Sequence, residues 1–461
     1  MTDSPLQKVE LAGPRTLESL QAWAKRNSQV IYLASILAAS IMLRVGAAVY
    51  LGSTIENLPG AADQLSYHTL ALRLLGGHGF TFGQPWWPAT PAGAPTAHWS
   101  YLYTFYLAAV YGLFGPSPLI ARLIQAVAIG FLQPYLIYRI GQAIFDERVA
   151  LVSAALMAGY AYFIYYASTL MTESFYIVAL LAAFYFAIHL ARLATGAFSK
   201  TLALSVGLGL SAGVAALLRQ PILLFLPFLF LWIGWASYKQ SRLRPTLTGL
   251  TVAAGVIGAL ILPFTLYNYA RFKQPVLLNT NVGFAFFWSN HPIYGDTFQP
   301  ILLPENGTYG DLIPPELFRQ HLNEAQLDRE LLRRGIQFVL DDPGRYVRLS
   351  LSRIPVYFMF WPSPESSRVS NISRVVSFGW LWPLMLLGLV AACRRRLSLT
   401  SVEFLLLLFS LFYVTLHLLS WSLIRYRLPV DAIWLLFAGF ALVTIATRLQ
   451  RWRSGIWAMK S

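Results

Sequence analysis

The run Ser174-Phe-Tyr-Ile-Val-Ala-Leu-Leu-Ala-Ala-Phe-Tyr-Phe-Ala-Ile-His-Leu-Ala-Arg-Leu193 decides the fold. It contains no acid, and its one arginine, Arg192, stands at the far end. A membrane-spanning helix needs ~20 mostly apolar residues at ~1.5 Å rise each. This run meets that requirement. Working outward, comparable runs occupy Val30–Leu51, Pro118–Ile140, Val149–Ala167, Leu202–Leu218, Pro221–Trp235 and Thr248–Tyr269. Val375–Ala392, Val402–Leu419 and Leu428–Ala446 follow, making ten predicted spans. Composition agrees: AVILMFWYC residues are 56% of the 461, against roughly 45–50% in ordinary globular proteins. Charged residues are 12%, about half the usual ~25%. Such a chain cannot hide its apolar surface in one aqueous core. The fold class is an all-α integral membrane protein with about ten transmembrane helices, within a range of nine to thirteen.

Two further stretches fit either of two placements. Trp99–Phe114 is apolar but short, and Tyr346–Trp361 is interrupted by Arg348, Arg353 and Pro355. Each can span, or lie flat with its aromatic and basic residues at headgroup level. Charge decides the topology. With both stretches interfacial and the amino terminus inside, the inside segments hold eighteen cations against six acids. If both spanned, the loops bearing Arg192 to Arg244 would face outward, against the positive-inside rule. The expected order is therefore a cytoplasmic leader, 1–29, and an amino-terminal transmembrane module, 30–269, with a long external loop at 52–117. An external region with interfacial helices follows at 270–374, then transmembrane helices over 375–447 and a cytoplasmic tail, 448–461. A polar leader before a long apolar run gives no cleavable signal peptide. Pro315–Leu340 reads as one helical stretch of the second external region.

The net charge of +15 suggests nucleic acid only if the cations cluster on one face. Here they are scattered in short loops, so no nucleic-acid partner is expected. A single cysteine, Cys393, excludes an internal disulfide and any cysteine-built metal site. The seven histidines show no paired metal-ligand spacing, so no cofactor is predicted and dependence on a divalent metal stays open.

Charges on the external side are few, and each has a bland reading beside a chemical one. Asp63 begins an amphipathic pattern with apolar or small residues at 65, 69, 72 and 75, closed by Gly76-Gly77-His78-Gly79. It suits an N-cap, worth ~1 kcal/mol, or a general base facing the membrane. Glu173, between two long apolar runs, suits a helix start or a second acid on the same face. Arg219-Gln-Pro221 and Arg425-Tyr426-Arg427-Leu-Pro429 place arginines on that face too. The arginine fork fits phosphate oxygens; snorkelling to headgroups, or an ion pair with nearby Asp431, is the alternative. Arg44 and Arg122 lie towards the outer ends of the first two spans. Pro85-Trp86-Trp87-Pro88 can stack a sugar ring or anchor the interface.

These residues resemble the GT-C class of polytopic membrane glycosyltransferases, the broad group of protein O-mannosyltransferases and lipid A aminoarabinose transferases. The likeness runs through Asp63-x-x-x-Tyr67-x-x-x-Ala71-x-x-Leu74-x-x-Gly77-x-Gly79-Phe80, then Tyr101–Gly115 and Ala121-Arg122. It continues through Tyr162–Tyr176 with Glu173, Arg219-Gln-Pro221, Asn279–Gly295 and Arg425-Tyr426-Arg427-Leu-Pro429. The resemblance implies a GT-C-like bundle with juxtamembrane helices in its first external loop. It implies transfer of one sugar from a polyprenyl-phosphate donor to a lipid, glycan or protein acceptor, with inversion, at the outer face of the cell's inner (plasma) membrane. Asp63 would activate the acceptor, with Glu173 as the second catalytic acid. Arg44, Tyr67, His98, Arg219, Arg425, Tyr426 and Arg427 would bind substrate. One departure stands out. Relatives commonly carry a charged residue and Pro-Pro-Leu-Tyr where this chain has Ala97-His98-Trp99-Ser100-Tyr101. The missing large soluble carboxy-terminal domain and WWD motif argue against transfer of whole glycans onto asparagine. A lipid-linked sugar flippase and a noncatalytic scaffold are the competing classes; a transporter would show repeats and midplane polar residues, neither of which is evident here.

Overall fold

The computed structural model describes residues 28–55, 63–193, 198–241, 243–302, 304–364 and 366–458. All but the last two positions of the expected 1–29 leader lie outside the described residues; Ser28 and Gln29 open the first helix. The described chain is helical, with isolated β-bridges only at Thr81 to Pro95 and Trp86 to Thr90.

Among the described residues, eight helices are long and apolar enough to cross a membrane: Ser28–Leu51, Pro118–Ile144, Glu173–Arg192, Phe198–Leu218, Leu243–Phe272, Arg368–Arg395, Val402–Leu419 and Ile424–Trp452. A ninth arises if Glu147–Gly159 and Ala161–Ala167, bent by 58°, count as one span. With that ninth the count falls inside the expected nine to thirteen, one short of the named set of ten. Its remaining segment is Ile222–Tyr238, a 17-residue helix that reaches only about 25 Å at ~1.5 Å per residue. Tyr101–Phe114 and Pro343–Tyr357, with 14 and 15 residues, are shorter still and fall below the ~30 Å hydrocarbon thickness. At the other end of the chain the helix predicted to stop at Ala446 runs on as Leu428–Ala458, through most of the expected tail.

The break in the third predicted span has a visible cause. Tyr160 takes extended backbone angles, ending the Glu147–Gly159 helix. Its last carbonyls then have no partners within the helix. The buried guanidinium of Arg44 supplies them, donating to Met157 O and Ala158 O at 3.1 Å each.

Small residues let the helices close on one another. Gly388, in the Trp380–Arg396 helix, lies directly against the backbone carbonyl of Phe437, leaving no room for a Cβ. Close backbone approach of this kind gains the dispersion contacts that hold membrane helices together.

The 270–374 region folds onto the first loop around a core of Phe284, Phe287, Trp288, Ile313, Leu317, Leu327 and Leu331. Pro315–Leu340 is two helices, Pro315–Arg319 and Glu324–Asp341, rather than the one expected. Between them His321 takes a positive φ of 50°, and Asn323 with Gln326 forms a capping box. That reciprocal cap satisfies the orphan donors of a fresh helix start. The next residue, Glu324, is buried and accepts from Thr90 Oγ1 and Ala97 N at 2.8 Å and from Thr280 Oγ1 at 2.5 Å. One carboxylate thus joins the first loop to two parts of the second region.

Candidate active site

Asp63 occupies the first turn of the Asp63–Leu75 helix, where the helix dipole favours negative charge. Glu173 is the first residue of Glu173–Arg192 and is 2% exposed. Arg219 follows the end of Phe198–Leu218, its N–H bonded to Ala215 O. Arg425 sits in the 3-10 turn Ile424–Arg427 that leads into the last helix. Four separate elements therefore deliver two acids and two arginines to one place.

The geometry is that of a chain. Arg425 Nη1 lies 2.5 Å from Asp63 Oδ2 and 3.6 Å from Glu173 Oε1, and Arg219 Nη1 lies 3.2 Å from the same Glu173 oxygen. Burying Glu173 alone would be costly; two guanidinium partners make it tolerable. Asp63, at 27% exposure, is the more open acid of the pair.

The two like charges share a platform. The Tyr426 ring centroid lies 5.0 Å from Arg219 Cζ and 5.3 Å from Arg425 Cζ, distances that favour cation–π attraction. His417 stacks against Tyr426, with centroids 4.7 Å apart and planes 21° apart. His417 is itself fixed by Trp421 O, 3.2 Å from its Nδ1.

Tyr67 and His98 flank the acids. Tyr67 is buried edge-on against Trp99 and Tyr103, and its hydroxyl accepts from Ser100 N at 3.4 Å. Burial, and next the Asp63 charge, push its phenol above its ordinary range. His98 Nδ1 is 3.0 Å from Thr280 O. A carbonyl only accepts, so Nδ1 carries the proton and Nε2 is left as an acceptor. Burial holds this imidazole below its usual pKa, so the neutral ring is favoured.

Two expected site residues are placed elsewhere. Arg427 forms a buried ion pair with Asp431, 2.9 Å from Nε to Oδ1, and donates to Tyr357 O at 2.8 Å. The local pair that the sequence offered as its bland reading is the one formed. Arg44 is fully buried among Ser40, Gln133 and the carbonyls at 157 and 158. Arg122 donates to the backbone at Leu51 O and Gly52 O and to the Gln64 side chain at Oε1. Because Leu170 N donates to that same Gln64 oxygen, Arg122 and Gln64 tie the Asp63 helix to the turn before Glu173.

Sequence reasoning missed several supporting residues. Asn279 Nδ2 donates to Ala97 O and Trp99 O, and Gln220 Nε2 reaches Asn279 O and Asn281 Oδ1. These neutral amides hold the Asn279 loop over the His98 segment. Gln220 and Asn279 both stand inside stretches that carry the resemblance, Arg219-Gln-Pro221 and Asn279–Gly295, but neither side chain was given a role there. Among the described residues no three His, Cys, Asp or Glu side chains gather as a metal-ligand set.

The described chain is thus a helical bundle that carries its two site acids at the heads of two helices, Asp63–Leu75 and Glu173–Arg192. Residues 99–271 match the family model of dolichyl-phosphate-mannose-protein mannosyltransferases. The fold is similar to that of the Archaeoglobus fulgidus oligosaccharyltransferase in the apo form, with a TM-score of 0.60 and 17% identity, covering 95% of this chain and 53% of that one. It is also similar to archaeal oligosaccharyltransferase AglB from Archaeoglobus fulgidus in complex with an inhibitory peptide and a dolichol-phosphate. That comparison gives a TM-score of 0.59 at 17% identity, over 95% of this chain and 52% of that one. ArnT from Cupriavidus metallidurans, bound to undecaprenyl phosphate, aligns with a TM-score of 0.43 at 13% identity, over 92% of this chain and 78% of that one. The chain spans about half the length of the oligosaccharyltransferase structures. No curated protein sequence matches it.

Proposed function

We propose that the protein transfers a single sugar from a polyprenyl-phosphate donor to a hydroxyl- or amine-bearing lipid, glycan or protein acceptor. The observation that carries this reading is the Arg425 guanidinium linking Asp63 to Glu173 beside Arg219. Two carboxylates balance two guanidiniums, so the site can take in a phosphate by rearranging pairs it already holds.

Asp63, the more open acid, is the general base. It takes the proton from the acceptor as the acceptor's lone pair attacks the anomeric carbon. The bond from that carbon to the phosphate oxygen breaks, and the lipid phosphate leaves with the electron pair. Arg219 and Arg425 meet the growing negative charge, the kind of preorganised stabilisation that dominates many enzymes' rate gains. Attack opposite the leaving group inverts the anomeric carbon. Glu173 keeps the arginines spaced and charged in a buried setting, and neutral His98 presents an acceptor nitrogen next to the same face. The membrane's outer face is the expected side, with both termini inside, on the charge distribution alone.

The test is transfer from a labelled polyprenyl-phosphate sugar by the purified full chain and by its Asp63→Asn variant. Loss of transfer by ~10²–10⁴-fold is expected for removal of a general base. Full activity in the folded variant removes Asp63 from this role. Movement of the labelled lipid across vesicles by wild type, with no sugar transferred to any acceptor, overturns the enzyme reading. Comparing lipids, glycans and surface proteins from cells with and without the gene by mass spectrometry then identifies the acceptor and the sugar.

A further inference from the structure

The opposite end of the bundle holds a second polar site. The Glu173–Arg192 helix carries Glu173 at one end and Arg192 at the other, about 30 Å apart at ~1.5 Å per residue. There Arg192 and Val402 line two adjoining cavities, of about 120 and 600 Å³. Lys239, Gln240 and Thr400 line the smaller; Arg394, Arg395, Ser398 and Ser401 line the larger, with Ile144 and Leu397 on its apolar side. One acid, Glu403, faces the larger cavity and is 8% exposed.

The positive-inside rule accounts for cations at this end. It does not account for their convergence, from three helices, on shared cavities. Nor are these charges used up internally. Among the described residues, none of Arg192, Lys239, Arg394 and Arg395 has a carboxylate within ion-pair distance, whereas Arg219, Arg425 and Arg427 each do. Arg192 has one guanidinium nitrogen on Ala143 O, which aims the fork without neutralising it. Basic pockets between spanning helices are suited to anionic headgroups. The hydroxyls of Ser398, Ser401 and Thr400 add donors, and Glu403 adds an acceptor for a hydroxylated headgroup.

We propose that this cavity binds an anionic glycerophospholipid by its headgroup. The phosphodiester lies on the arginines, a headgroup hydroxyl donates towards Glu403, and the acyl chains leave past Ile144 and Leu397. The proposal is independent of the transfer chemistry at the other end. It commits to lipid rather than free phosphate, because apolar side chains border the cavity where it meets the helix flanks.

Native mass spectrometry of the detergent-solubilised full chain tests it, with phosphatidylglycerol and phosphatidylcholine as probes. Wild type should retain phosphatidylglycerol roughly tenfold over phosphatidylcholine. Arg394→Gln/Arg395→Gln should erase that preference, and the exposed single change Arg394→Gln, which leaves Arg395 on the Phe440 ring, should reduce it. Equal retention of the two lipids by wild type overturns the proposal. So does an undiminished preference in a folded double variant. Displacement of phosphatidylglycerol by millimolar inorganic phosphate would assign the cavity to a soluble anion and overturn the lipid reading.

Discussion

Arg425 Nη1 lies 2.5 Å from Asp63 Oδ2 although 362 positions separate the two residues in the chain. The contact closes the bundle on itself, because Asp63 heads the first-loop helix and Arg425 precedes the last helix. The same nitrogen is 3.6 Å from Glu173 Oε1. Arg425→Gln therefore removes the link between two acids and leaves Glu173 with Arg219 and the Thr172 hydroxyl. Transfer should fall by ~10²–10³-fold, the usual effect of deleting one charge-stabilising donor. A labelled-donor assay at saturating donor checks this; undiminished kcat in a folded variant would detach Arg425 from the reaction.

Tyr426 brings one π ring within reach of both guanidiniums, 5.0 Å from Arg219 Cζ and 5.3 Å from Arg425 Cζ. Tyr426→Phe keeps the ring and should leave donor KM within about twofold, whereas Tyr426→Leu should raise it severalfold, since each cation–π contact contributes ~0.5–2 kcal/mol. Equal effects of the two substitutions would assign the role to the hydroxyl instead.

Arg427 and Asp431 give the opposite pattern. Both are buried and paired to each other, so removing one partner strands the other. Arg427→Met should destabilise the folded protein by ~3–5 kcal/mol while leaving donor KM unchanged in whatever folds. Thermal unfolding and donor kinetics on one preparation separate these outcomes. A raised KM without loss of stability would return Arg427 to the donor site.

Asp328 predicts a pH dependence outside the membrane. Its carboxylate caps the Val282–Ser289 helix through Gly283 N and Phe284 N at 2.9 and 3.1 Å. Burial nevertheless pushes its pKa up to about 7. The folded state thus holds this proton where the unfolded chain, near ~3.9, has lost it. Stability from this group is full below about pH 4 and falls as pH rises to about 7. Melting followed by Trp288 fluorescence should drop across that window in wild type, and the drop should flatten in Asp328→Asn.

Two glycines test the packing. Gly388 meets the Phe437 carbonyl, while nothing lies within 4 Å of a Cβ at Gly234. Gly388→Ala should lower the melting temperature by several degrees through overpacking, which costs ~1–3 kcal/mol. Gly234→Ala should raise it slightly, by the ~1 kcal/mol helix preference of alanine. Similar shifts in both variants would contradict the close approach.

The residues that could be read from sequence are those whose charge was out of place. Asp63, Glu173, Arg219 and Arg425 stood in apolar surroundings on one predicted face, and they meet. Arg427 stood there too and does not join them, because its partner at i+4 was as close in sequence as any ligand. Arg44 misled for a related reason. Sequence displays a charge but not the carbonyls of a broken helix that receive it. The break itself was not read, because its one signal, Gly159, stands inside an otherwise continuous apolar run. Gln64, Gln220 and Asn279 showed no role of their own, even where Arg219-Gln-Pro221 and Asn279–Gly295 carried the resemblance, because a neutral amide gains meaning only from the groups around it. Spans were legible from length and hydropathy, but Ile222–Tyr238 shows that a run of apolar residues does not fix the helix cut from it.

Glu324 adds a mechanical consequence. Thr90, Ala97 and Thr280 hang on a single carboxylate, and the His98 backbone lies between two of the segments so joined. Loosening any one of these attachments leaves the others in place, so the segments cannot drift apart singly. Release at Glu324 removes three bonds at once, while Ala97 O still accepts from Thr280 N and from Asn279 Nδ2. Glu324 is thus a shared anchor in a fastening of several strands, and the loops beside the acids loosen as a unit only when the bonds that bypass it break as well.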